Sequence, residues 1–154
     1  MTYLVVKFLH VFGAIVILGT GVGIAFMVMA HRSGDPGHIA RTAATVVFAD
    51  YLFTMTAIIA QPITGGILMQ MAGFSPADPW LLGSLALYAV AGAFWLPVLG
   101  MQARIRDLAT EAWANGRPLP ATYHALYRRW FLFGLPGFGS VVLILWLMVV
   151  KPSV

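Results

Sequence analysis

Long apolar runs separated by short polar knots divide the chain into four segments, roughly Tyr3 to Ala30, Val46 to Ala72, Trp80 to Met101 and Trp130 to Val150. A bilayer-crossing helix needs about 20 mostly apolar residues, and each run reaches that length. The pattern predicts an all-α integral membrane four-helix bundle, forming one domain over residues 1–154. The first run exceeds the apolar stretch of a signal peptide, and Lys7 and His10 interrupt its start. It is therefore read as a retained span.

The knots carry helix punctuation. Asp35-Pro36 and Asp78-Pro79 each place an N-cap acid before a proline at the first helical position. Asn115-Gly116, followed by Pro118 and Pro120, reads as a stop and restart. Gly134, Pro136, Gly137 and Gly139 are expected to loosen the fourth span near its start. Gln61-Pro62 marks an expected kink, with the Gln61 amide covering freed backbone. Gly19 with Gly23, and Ala89 with Ala93, have the four-residue spacing that lets helices approach closely.

Composition agrees with this reading. The 154 residues are 60% hydrophobic and 9% charged, with a mean hydropathy of +0.88, where a soluble domain carries about a quarter charged residues. Disorder and a soluble nucleic-acid binder are excluded. Zero cysteines exclude disulfides, thiolate metal sites and a cysteine nucleophile. The formal charge of +4 is a topology signal, because seven of the nine basic residues are Arg and all seven fall in two connections. Arg32 and Arg41 flank the first; Arg104, Arg106, Arg117, Arg128 and Arg129 crowd the third; the second carries only Asp78. By the positive-inside rule the first and third connections are cytoplasmic and both termini face outward. Arg exceeding Lys, with abundant Ala and Gly, points to a bacterial inner membrane.

The third connection is not plain loop. Ile105, Leu108, Ala112 and Trp113, then Leu119, Tyr123, Leu126 and Tyr127, recur at helical spacing among charges. They predict short amphipathic cytoplasmic helix extensions between spans three and four, lying at the headgroup surface. The same arginine-rich stretch is the expected docking surface for a membrane-protein partner.

Polar groups at membrane depth are costly and functionally suspect. His10 lies about 12 Å down the outer half of the bundle at 1.5 Å per residue, where an imidazole can ligate haem iron or relay protons. Lys7, three residues earlier, shares its helical face and is expected to snorkel to the interface. Asp50 is about one turn inside span two and is expected to pair with Arg41 or Arg129, or else to relay a proton or cation. Gln61 is the remaining polar group near mid-span. His31, His38 and His124 fall about 30 Å from the level of His10, so the bis-His arrangement of many membrane cytochromes is absent. No P-loop, GxSxG, HExxH or CxxC occurs.

The Lys7-Phe8-Leu9-His10-Val11 opening, the interval to His31, Trp80-Leu81 with Leu85, Arg129-Trp130-Phe131 and the closing Val149-Val150-Lys151-Pro152 resemble small bacterial four-span membrane proteins of unassigned function. These are distantly similar to HemJ-type protoporphyrinogen oxidases and copper-resistance D-like proteins. The resemblance implies a haem b or porphyrin pocket held by His10 and Lys7 with Trp80 and the position of Ser84. The HemJ type has a lysine where Ser84 stands, Asn-Glu where Leu132-Phe133 stand, and an arginine near Phe26. Those replaced groups are the ones that would handle porphyrinogen carboxylates. The expectation is therefore a haem b-binding electron-transfer or accessory redox protein; a non-redox accessory subunit or small transporter is the alternative.

Overall fold

The structure, a computed structural model, describes residues 1–152, with Ile24 described by its backbone alone. It is helical in every element. Helix α1 (Thr2–Val22) continues into α2 (Ile24–Ser33); α3 (Pro36–Ala49) runs through a π-turn (Asp50–Thr54) into α4 (Met55–Ala72); α5 (Pro79–Ala114) and α6 (Ala121–Val150) complete the set. Four helical stretches, Thr2–Ser33, Pro36–Ala72, Pro79–Ala114 and Ala121–Val150, are long and apolar enough to cross a membrane. Each contains one of the four runs expected from sequence.

The second and fourth stretches begin well before their apolar runs. The first connection accordingly shrinks to a turn at Gly34, which is left-handed at φ 68, and Asp35. The Asp35 side chain accepts from the Gly37 and His38 amides, and Pro36 follows at the first helical position. Asp78 also precedes a first-position proline, but its carboxylate makes no cap bond; it accepts from the Ser75 amide in the preceding turn. Asn115 and Gly116 end α5, and α6 restarts directly after Pro120.

The extensions in the third connection do not lie apart from the spans. They prolong α5 and α6 along the same helices. At 36 residues, α5 is about 54 Å long against roughly 30 Å of hydrocarbon. Its distal residues Ile105, Leu108 and Ala109 are buried with Ile39, Ala40 and Ala43 of α3, Met27 and Ala30 of α2, and Tyr123 and Trp130 of α6. The tightest core thus sits toward the arginine-rich end. Apolar faces gain from burial where helices leave the lipid, whereas in the lipid no hydrophobic drive favours helix over tail. Phe8, Ile15, Leu96, Leu143 and Trp146 accordingly stay exposed.

Nearer the chain termini the helices associate chiefly in pairs, α1 with α4 and α5 with α6. The backbone carbonyl freed by Pro62 is that of Ile58, four residues earlier, and the Tyr88 hydroxyl of α5 donates to it at 2.7 Å. That bond ties the two pairs together and lets α4 run helically through the proline. Gln61, expected to serve its own helix, instead reaches across to α1. Likewise α6 is unbroken through Pro136, and Gly137 is buried where α6 meets Phe94 and Ala91 of α5. Gly137 thus serves contact instead of loosening, while nothing lies within 4 Å of a Cβ at Gly139. The expected small-residue contacts also fall elsewhere: nothing lies within 4 Å of a Cβ at Gly19, and Ala89 and Ala93 are exposed.

Candidate functional site

Gly13 on α1 is buried, and an added Cβ would fall 2.6 Å from Gln61 Nε2. Its missing side chain lets the Gln61 amide of α4 enter the interface and donate to the His10 carbonyl at 2.8 Å. One turn further along α4, Thr64 Oγ1 lies 2.9 Å from His10 Nδ1. Beside it, α4 comes so close to the ring edge that a Cβ on Gly65 would stand 3.2 Å from His10 Cε1. His10, Gly13, Gln61, Thr64 and Gly65 thus form one half-buried interhelical polar seat.

The Thr64 contact orients the imidazole within it. A threonine hydroxyl has one proton, and the Ala60 carbonyl 2.8 Å away is an acceptor for that of Thr64. With the proton directed there, Thr64 Oγ1 accepts from His10 and Nδ1 carries the ring proton of the neutral imidazole. In that tautomer Nε2 is the unprotonated nitrogen, the one able to ligate a metal or take up a proton. A hydrogen bond at one ring nitrogen that orients the other is the usual support of a histidine ligand. Among the described residues no three His, Cys, Asp or Glu side chains gather into a metal-holding group.

The other expected site residues are distributed differently. Lys7 is exposed, with Nζ 5.9 Å from the Tyr3 ring centroid toward the chain start, and it makes no hydrogen bond to His10. Trp80 and Ser84 are buried at the start of α5. Ser84 spends its hydroxyl on the Trp80 carbonyl at 2.7 Å. The Trp80 ring meets Phe74 edge-on at 5.2 Å, and Lys151 Nζ lies 5.5 Å from its centroid. None of these partners is on α1, so Trp80 and Ser84 close the α5–α6 end.

Asp50 departs most from expectation. The one ion pair among the described residues is Arg106–Asp107, and Arg41 lies over the Trp113 ring at 5.5 Å. Asp50 is 9% exposed and is bonded by neutral groups. Thr54 Oγ1 lies 2.8 Å from its carboxylate and 2.8 Å from Thr20 Oγ1 of α1, and the Gln102 side chain of α5 stands beside it. The expected pairing with Arg41 or Arg129 is not formed, because the π-turn places Asp50 against α1 and α5.

A further cluster was not anticipated. His31 Nδ1 lies 3.0 Å from the Tyr123 hydroxyl, its ring stacks on Tyr127 at 3.6 Å, and His124 stands edge-on at 5.9 Å. Tyr123, Tyr127 and Trp130 recur at helical spacing on α6; that spacing was the available signal, but nothing in it names His31 as partner.

A family model described as "Predicted integral membrane protein (DUF2269)" matches residues 4–152, almost the whole chain. The chain belongs to this family. No curated protein matches it, and no solved structure does. Membership in the DUF2269 family agrees with the four membrane-length helices; the likeness to HemJ-type and copper-resistance D-like proteins is not among the matches.

Proposed function

We propose that this integral membrane protein binds haem b through Nε2 of His10 and serves as an electron-transfer or accessory redox component. The observation that carries the reading is the Nδ1–Thr64 bond, which turns an otherwise isolated imidazole into an oriented ligand with a bare Nε2. Bound haem would supply one-electron chemistry. The chain's own contribution is to hold the ring: Thr64 bonds its Nδ1, Gln61 pins the His10 backbone, and Gly13 and Gly65 let α1 and α4 close on it. Lys7, one turn nearer the interface, is placed to meet a carboxylate from the aqueous side. Loss of the HemJ-type polar positions at Phe26, Ser84 and Leu132-Phe133 argues for electron transfer over porphyrinogen oxidation.

Protein purified in mild detergent from haem-replete cells is expected to show a Soret band and a dithionite-induced α-band, both lost in His10→Ala. A featureless spectrum from folded wild-type protein overturns the reading. The non-redox alternative, an accessory subunit docking a membrane partner at the arginine-rich end, draws on one observation. Trp113 is 54% exposed there, on the rim of a notch of about 520 Å³ that it shares with Arg117, Pro118 and His124.

A further inference from the structure

A second site lies where α1, the π-turn and α5 meet. It holds a carboxyl, Asp50, 9% exposed, and an amide, Gln102, 1% exposed. Thr54 and Thr20 complete it. Two features need explanation together. Among the described residues the carboxyl has no cationic partner: the basic groups of the elements around it are engaged elsewhere or exposed. His10 is hydrogen-bonded to Thr64, Arg41 covers Trp113, Arg106 pairs with Asp107, His31 bonds Tyr123, and Lys7, Arg32, His38, Arg104, Arg128 and Arg129 are exposed. In addition, Gln102 Oε1 is buried with no hydrogen-bond partner.

An unpaired carboxylate in hydrocarbon and an orphaned amide oxygen each carry a desolvation cost. One proton removes both. A neutral carboxylic acid has an O–H to offer the neighbouring Gln102 Oε1, which otherwise lacks a partner. The Thr54 hydroxyl has a single proton within reach of both the carboxyl and Thr20 Oγ1, and Thr20 Oγ1 lies 2.9 and 3.1 Å from the Val16 and Ile17 carbonyls. The π-turn contributes by carrying Asp50 and Thr54 onto one buried face; such single-turn widenings of a helix are frequent at functional sites.

We propose that Asp50 with Gln102 is a proton-binding site within the membrane, with Thr54 as a supporting donor, independent of the chemistry at His10. The carboxylate takes up one proton and becomes neutral, and release of that proton restores its negative charge.

Infrared spectra of the protein in lipid nanodiscs at neutral pH test this. The expected result is a carbonyl band of a protonated carboxylic acid, above the amide I region, absent in Asp50→Asn and shifted to higher frequency in Gln102→Leu. Sodium should leave it unchanged. Asp50→Asn is nearly isosteric, and its thermal unfolding midpoint verifies folding; should it fail to fold, the Gln102→Leu shift alone decides. Absence of the band in wild type, its persistence in Asp50→Asn, or no shift in Gln102→Leu overturns the proposal. So does a band that emerges only when sodium is withdrawn, which would make the same oxygens a sodium site.

Discussion

Trp130→Ala should cost about 3–5 kcal/mol of stability, the range for removing a fully buried large aromatic. Trp130 is 1% exposed in the core that joins α2, α3, α5 and α6. Its ring lies 5.4 Å from Tyr127, which in turn stacks on His31. Truncation therefore opens a cavity and also loosens the α6 face that seats α2. Trp130 Nε1 has no hydrogen-bond partner, so Trp130→Phe loses volume without losing a bond and should fall well short of the alanine cost. Leu132→Ala, two residues on and 52% exposed, should change little, since its side chain trades one apolar environment for another. Thermal or SDS unfolding midpoints in detergent rank the three. Equal losses at Trp130 and Leu132 would remove the arginine-end core from its place as the stability centre.

The second large effect is expected at Gly13→Ala, about 1–3 kcal/mol, the cost of leaving a buried polar group unpaired. The added Cβ occupies the place of Gln61 Nε2, so the amide must withdraw from the His10 carbonyl. The loss belongs to the pair, and Gln61→Ala removes the obstacle. The double variant Gly13→Ala/Gln61→Ala should therefore lose less than the sum of the two single variants, measured by the same unfolding midpoints. Strict additivity would mean that the two side chains do not meet.

The contrast between these positions shows what the sequence discloses. Spans, stops and restarts were legible because hydrocarbon imposes length and apolarity, and because Asp35, Pro36 and Gly116 have local conformational reasons to be where they are. His10 and Gln61 were legible as isolated polar residues in apolar runs. Which face of each helix turns inward was not, since lipid and bundle interior both select apolar side chains and leave no clear amphipathic stripe. Gly19 and Gly23 therefore looked like contact residues while Gly13 and Gly65 carry the α1–α4 contact. Asp50 was visible as a buried charge, but its expected arginine partner was inferred from level alone. The π-turn rotates it toward Gln102 instead, and nothing in Asp50-Tyr51-Leu52-Phe53-Thr54 marks that turn.

Ligation through His10 depends first on the protonation state of its ring. Solid-state nitrogen NMR on selectively histidine-labelled, haem-free protein in lipid, with His10 assigned by its loss in His10→Asn, reads that state directly. The predicted result is a neutral imidazole protonated at Nδ1, with an unprotonated Nε2 and an Nδ1–H signal perturbed in Thr64→Val. A proton on Nε2 with Nδ1 accepting would contradict it, and would leave His10 a packing residue with no nitrogen free for a ligand.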